Sequence, residues 1–319
     1  MRLLVFSMVL AIFSMANASP VPKGKFQDPF NKKELLEETV SPEMFQGDMK
    51  LTSKQRIEIE EAMKLQLNGM ELNKRKAWKM LHYRWPHATV YYSTSDLPVE
   101  DPYNANAVHG IYSAINHWEE HTCIRFIKGL NTDFINFKKG NGCWSNVGRI
   151  NGSQDISIGD GCTYFSIIVH EIGHALGFHH EQSRPDRDDY VKVHNENISP
   201  GMEYNFNKYD WFHIVTHEIP YDYNSVMHYG PYAFAINPLI PTITPIPDSP
   251  RYHEHFFQME DRFNGLSFAD VKLANNIYSC GEFGDDCDEV SIKCQHGGYL
   301  GPRCTCVCPP GHSGTMCEV

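Results

Sequence analysis

No cysteine occurs in the first 122 residues of this 319-residue chain, and no apolar run approaches the roughly 20 residues that a membrane-spanning helix needs. Basic stretches are equally scarce. No Lys/Arg run exceeds three residues, and 28 basic against 39 acidic side chains leave a formal net charge of −11. Both features argue against a nucleic-acid partner and against a membrane span. Collagen-like, low-complexity and strongly disordered stretches are absent too, because 41% hydrophobic and 21% charged residues is an ordinary globular composition. The length exceeds one small core and points to two or three units.

What is present begins with an export signal. Arg2 gives a short basic start, Leu3 to Phe13 is apolar, and Ala16-Asn17-Ala18 fits a small-residue cleavage site. This is the pattern of a secretory signal peptide over residues 1–18, so a secreted, extracellular protein is expected. Ten cysteines follow, all from Cys123 onward, and six crowd between Cys287 and Cys317. Behind an export signal an even count implies disulfides. About 40 residues cannot build an adequate core alone, so the tail reads as a stapled module. The sequons at Asn151 and Asn197 agree with export and are candidate glycosylation sites.

Residues 19–75 carry balanced charge and no cysteine. Thr52-Ser53-Lys54-Gln55 resembles a capping box, and Ile59, Ala62, Met63 and Gln66 follow at helical spacing up to Gly69. The segment closes on Asn73-Lys74-Arg75-Lys76, a basic cluster suited to a processing protease. Beyond it, His87 to Ser93, Cys123 to Ile127, Asp133 to Phe137 and Gln154 to Ile158 read as strands. Val108, Ile111, Tyr112, Ile115 and Trp118 repeat at helical spacing, and the apolar run Phe165 to Val169 flows into a histidine-rich helix. The fold class is therefore α+β, with a mixed sheet and two long helices. The half after residue 180 reads as irregular, up to a last helix near Ser267 to Tyr278.

The chemistry concentrates in His170-Glu171-Ile172-Gly173-His174-Ala175-Leu176-Gly177-Phe178-His179-His180. On a helix, residues four apart lie about 40° apart in azimuth, so His170 and His174 share a face. Gly177 can adopt positive φ, end the helix and let the chain swing His180 back. Three neutral imidazoles with an open position describe a catalytic zinc site, with one Zn2+ per chain. Glu171 is placed to move a proton between an attacking water and a leaving amine. HExxHxxGxxH has five fixed letters and arises by chance in roughly one in ten thousand chains this long. Downstream, Met227 within Ser225-Val226-Met227-His228-Tyr229 matches the methionine turn of metzincins.

HEIGHALGFHHEQSRPDRDDYV and SVMHYG together resemble the astacin family of metalloproteases. Every fixed letter of the family's HExxHxxGFxHExxRxDRD is present: His170, Glu171, His174, Gly177, Phe178, His180, Glu181, Arg184, Asp186, Arg187 and Asp188. The resemblance extends from RWPHATVYY to LSFADVKLANNIYSC, roughly Lys76 to Cys280. It implies a zinc metalloendopeptidase acting on polypeptide substrates, with two lobes around a cleft. It implies zinc ligation by His170, His174 and His180, with Tyr229 as a further ligand that swings away to hydrogen-bond the oxyanion. It also implies that Glu181 meets the new N-terminus of the trimmed chain. Disulfides Cys123–Cys280 and Cys143–Cys162 are implied, as is a substrate-binding edge at Cys143-Trp144-Ser145-Asn146, where a peptide adds as an extra strand.

Phe45-Gln46-Gly47-Asp48 resembles the family's propeptide motif FxGD, which implies a zymogen in which Asp48 reaches the zinc. The expected divisions are signal peptide 1–18, propeptide 19–75, catalytic domain 76–280 and tail 281–319. Cleavage by an activating protease is expected after Arg75 or Lys76. The tail resembles an EGF-like module, which implies Cys287–Cys304, Cys294–Cys306 and Cys308–Cys317. A competing reading is an exported binding protein that kept zinc and lost hydrolysis. The presence of both Glu171 and Tyr229 argues against it.

Overall fold

The computed structural model describes residues 44–59, 83–209, 216–260, 264–280, 292–301 and 304–319. The export signal, the basic cluster at Arg75 and Lys76, and Cys287 lie outside these residues. The chain first forms β1 (Met49–Lys50) and a helical segment, α1, over 53–59. At its start Thr52 Oγ1 accepts from Gln55 N, and Gln55 Oε1 accepts from Thr52 N. That reciprocal pair satisfies two otherwise orphaned donors.

A six-stranded sheet follows, in the order β1-β5-β6-β4-β2-β3. Its later strands are β2 (Thr89–Asp96), β3 (Arg125–Lys128), β4 (Phe134–Lys138), β5 (Cys143–Asn146) and β6 (Ser153–Ile158). All neighbours are parallel except β5 and β6, so the sheet is mixed. β2 starts two residues later than the sequence suggests. Pro86–Ala88 forms a 3-10 turn with His87 at φ 54°, a left-handed value incompatible with strand.

Alternation sorts the strands into two faces. Ile135, Phe137, Ile156 and Ile158 turn inward with Val90 and Tyr92 and are buried. Asn136, Lys138, Asp155, Ser157 and Trp144 take the outer face. Against the inner face pack α2 (Pro102–His121) and α3 (Phe165–Ala175). Asp101 caps α2 by accepting from Tyr103 N and Asn104 N, and Pro102 occupies the first turn, where its missing N–H costs nothing. One continuous core results, centred on Trp118, Ile111, Phe137, Ile168 and Ile172.

A second core gathers Val191, Phe206, Tyr221, Tyr223, Tyr229, Ile243 and Met259. It holds the antiparallel pair β7 (Val191–Val193) and β8 (Ile243–Pro245). It also holds α4 (Tyr252–Glu260), a helix within the half read as irregular. Tyr252, Phe256 and Met259 are its apolar signal, at helical spacing, but His253, Glu254 and His255 dilute it. α5 (Phe268–Ile277) opens on a full capping box between Ser267 and Asp270.

Disulfides join Cys123 to Cys280 and Cys143 to Cys162. In the tail they join Cys294 to Cys306 and Cys308 to Cys317, around the short pair β9 (Tyr299–Leu300) and β10 (Cys306–Val307). Cys304 is disulfide-bonded as well. The tail touches α5 through Lys272 Nζ, which donates to Gly297 O at 2.8 Å, and through the Phe268 and Tyr299 rings. No helix among the described residues is long and apolar enough to cross a membrane.

Candidate metal centre

The site is built on the C-terminal half of α3, and its precision comes from how that helix ends. A helix leaves its last four carbonyls unpaired. Here each has a partner. Phe178 N donates to Gly173 O, and Gly177 N donates to His174 O, the two bonds of a Schellman turn, with Gly177 at φ 101°. Gly148 N also reaches His174 O at 2.8 Å. Trp85 Nε1 donates to Ala175 O at 2.8 Å, and the Tyr278 hydroxyl donates to Leu176 O at 3.0 Å. The helix end is thus tied to β2's approach, the β5–β6 connection and the end of α5. That turn carries His180 back against the other two histidines.

His170, His174, His180 and Asp48 are all buried, and their ligand atoms lie within 4.8 Å of one another. Asp48 Oδ2 is 3.1 Å from both His170 Nε2 and His180 Nε2, and Asp48 Oδ1 is 3.4 Å from His174 Nε2. The other ring nitrogens fix the tautomers of two imidazoles. His170 Nδ1 donates to Val226 O at 2.7 Å, and His174 Nδ1 donates to Phe178 O at 2.9 Å. A carbonyl can only accept, so Nδ1 carries the proton and Nε2 presents a lone pair. Burial lowers His174 and pushes His180 down to about 4, in each case against the opposing pull of Asp48, so both rings are neutral near pH 7. Lone pairs therefore face carboxylate oxygens across a buried gap. Asp48 Oδ1 and His174 Nε2 make no hydrogen bond. Acceptors converging on one point without protons lack only a cation, and a three-nitrogen, one-oxygen donor set suits zinc. The residues fit one metal ion.

The support beneath is equally determined. Met227 is buried under α3, so close that a Cβ added at Gly173 would lie 2.8 Å from its Sδ. Asp270 accepts from Val226 N and from Ser225 Oγ, while Val226 O accepts from His170 Nδ1. The carboxylate that caps α5 thereby orients a candidate ligand on α3. Burial and the neighbouring Asp222 raise the Asp270 pKa to about 6, against the pull of its hydrogen bonds from Ser225, Val226 and Ser267. Glu171 is buried beside His170.

The remaining residues singled out from the sequence divide. The Tyr229 ring lies tilted against His180, ring centroids 4.6 Å apart, and its hydroxyl donates to Gln46 O at 2.5 Å. Glu181 lies outside the ligand set. It accepts from Arg184 Nη1 and Asp222 N, and burial pushes it up to about 8 despite Arg184. It lines a cavity of about 130 Å³ whose wall includes Gln55, Glu58 and Ile59 of α1. Asn151 is exposed on a turn, and Asn197 Nδ2 donates to Pro241 O at 2.8 Å.

Sequence reasoning misses Gln46. Its Oε1 approaches His180 Nδ1 at 3.2 Å and accepts from the Tyr209 hydroxyl at 3.1 Å, and its Nε2 donates to Asn207 O. No pattern marks it beyond its place between Phe45 and Gly47. Trp85, Tyr278 and Asp270 escape it too as positioning residues, because each acts through a backbone atom that the sequence does not locate.

The fold and the site together define a protein in which three imidazoles on and just after one helix, with one carboxylate, form a buried group able to hold one metal ion. The sequence profile of the Astacin peptidase family matches residues 77–279, and the chain belongs to that family. It is 44% identical over 296 residues to Protein SpAN of Strongylocentrotus purpuratus, covering 90% of this chain and 45% of that protein. It is 44% identical over 283 residues to Blastula protease 10 of Paracentrotus lividus, covering 86% and 45%. The chain thus spans about half the length of these relatives. Among solved structures it is similar to high choriolytic enzyme 1 of Oryzias latipes, described as a hatching enzyme zinc-protease. That likeness has a TM-score of 0.53 at 38% identity and covers 61% of this chain and 92% of that one.

Proposed function

We propose that this chain is an exported zinc endopeptidase, made latent, that hydrolyses peptide bonds in extracellular proteins or peptides. The observation that carries the reading is the seat of Asp48, a carboxylate from an N-terminal segment set among three imidazole Nε2 atoms beside a buried Glu171. A zinc ion held by His170, His174 and His180 supplies a Lewis acid and an acidified water. Residues 44–59 occupy the place where a substrate belongs, which is the physical meaning of latency. Asp48 takes the position of the attacking water, β1 takes the edge of β5, and Gln46 O holds the Tyr229 hydroxyl.

Once an activating protease cuts after Arg75 or Lys76 and the segment leaves, each of these groups becomes available. A peptide pairs with the β5 edge through its backbone. Glu171 takes a proton from the attacking water and delivers it to the leaving amine. Tyr229, released from Gln46, donates its hydroxyl to the developing oxyanion. Glu181, in its cavity, meets the new α-ammonium, whose positive charge favours the ionised carboxylate against the effect of burial. Residues 1–18 serve as the export signal, 281–319 as an EGF-like module, and Asn151 and Asn197 as glycan acceptors.

The test is proteolysis of casein by the chain trimmed at the basic cluster. Activity abolished by a chelator, restored by zinc and absent in Glu171→Gln is the expected result. A trimmed protein that holds one metal per chain and cleaves nothing would make it a binding protein instead.

A further inference from the structure

Beyond the zinc chemistry, the outer face of the sheet edge carries a feature with no part in the mechanism. β1 pairs in parallel with β5, Met49 opposite Ser145 and Lys50 opposite Asn146. Alternation sends Met49 inward, where it is buried, and Lys50 outward. Asn146 Nδ2 donates to Lys50 O at 3.0 Å and fixes the backbone at that position. The Lys50 ammonium lies 4.9 Å from the centroid of the Trp144 ring. Trp144 belongs to the same outer face and is only 8% exposed under this cover. Lys138 also approaches the ring, at 5.8 Å, but its charge is met by Asp155 at 2.7 Å. An indole face is the strongest aromatic partner for a cation, and indole supplies no hydrogen-bond acceptor of its own.

We infer that Trp144 is a specificity-determining residue: it forms a subsite on the β5 edge that selects a lysine or arginine side chain from the strand bound there, and Lys50 fills it in the latent chain. The inference rests on the endopeptidase reading, since a substrate must use this edge. The prosegment runs parallel to β5, yet a side chain on the outer face of an added strand meets the same indole whichever way that strand runs. The asparagine at position 146 holds the strand and the indole reads the charge.

The experiment has two arms. In the first, peptides spanning residues 44–59 are titrated by calorimetry into the trimmed, zinc-loaded protein. Lys50→Arg is expected to bind within about threefold of the parent, and Lys50→Met, similar in length but uncharged, about tenfold more weakly. Lys50→Met binding within about threefold of the parent overturns the inference. In the second, a peptide library is cleaved by the trimmed protein and by its Trp144→Phe and Trp144→Leu variants. Wild type is expected to favour Lys or Arg over Met about tenfold in kcat/KM at one position on the Asn146 side of the cut, and Trp144→Leu to bring that ratio below about threefold. The same preference in Trp144→Leu as in wild type overturns it. If Trp144→Leu fails to fold, Trp144→Phe and the binding arm decide. If the trimmed protein cleaves no peptide, the endopeptidase reading falls, while the first arm still reports on the indole.

Discussion

Removing one apolar side chain from the N-terminal segment should loosen latency more than its distance from the chemistry suggests. Met49 is fully buried, in a small cluster with Leu51, Ile59, Val147, Tyr209 and Phe45. Its sulfur is also approached by the Tyr209 hydroxyl. The hydrogen bonds that seat the segment, from Ser145 N to Asp48 O and from Gln55 Nε2 to Val147 O among them, exchange for water when it leaves. Their net worth is therefore modest, on the order of 1 kcal/mol each. Met→Ala at a buried site costs about 2–5 kcal/mol, and a middle value near 3 corresponds to a roughly 150-fold weaker seat. The assay is inhibition of the trimmed enzyme by peptides of residues 44–59. Met49→Ala should raise the inhibition constant about 30- to 5000-fold, and Met49→Leu, which keeps the volume, should restore most of it. An effect under about threefold for Met49→Ala, with Asp48→Ala abolishing inhibition, would refute the reasoning and place all the affinity at the metal.

Other outcomes follow from the same geometry. Asp48→Ala in the full-length precursor should give measurable leak without cleavage, because a segment that has lost its carboxylate seat leaves the cleft part of the time; activity as low as that of the wild-type precursor removes Asp48 from the latency device. Gly173→Ala drives a Cβ to 2.8 Å from Met227 Sδ, and should cost about 1–3 kcal/mol by overpacking, read as a lowered melting temperature. An unchanged melting temperature would mean Met227 yields freely. Asp270 has a native pKa of about 6 against 3.8 in the unfolded chain, so the folded state binds the proton more tightly. Its stabilising contribution is full below about pH 4 and is lost as the pH rises to about 6, a span worth about 3 kcal/mol. Asp270→Asn should flatten that slope in denaturant titrations across about pH 4 to 7, and a slope identical to wild type contradicts the assignment.

How much of this is legible in the sequence depends on whether a residue acts through its side chain or through its position. His170, His174 and His180 stand at intervals dictated by helix geometry and one glycine, so their convergence can be argued from spacing alone. Cys143–Asn146 can be matched only by likeness, since four residues carry no periodicity. α4 hides because its apolar positions flank His253, Glu254 and His255. Trp85 and Tyr278 fall within longer motifs, yet their work is to bond the carbonyls of Ala175 and Leu176. Nothing in the order of residues indicates that two aromatic donors from opposite ends of the domain close the same helix end. Gln46 illustrates the same limit, because its partners His180, Asn207, Tyr209 and Tyr229 come from separate stretches of irregular chain.

β1 is the outermost strand of its sheet, and it comes from the part of the chain proposed to be discarded. While it remains, Ser145 and Asn146 have a strand opposite them on that edge. Without it, a ladder of unpaired donors and acceptors faces solvent, the kind of template on which proteins stick to one another and build fibrous deposits. The strand proposed to silence the cleft would therefore also guard against self-association at the folding stage. The trimmed protein should be the more aggregation-prone of the two, and soaking it in a peptide that lies along β5 should keep it monomeric.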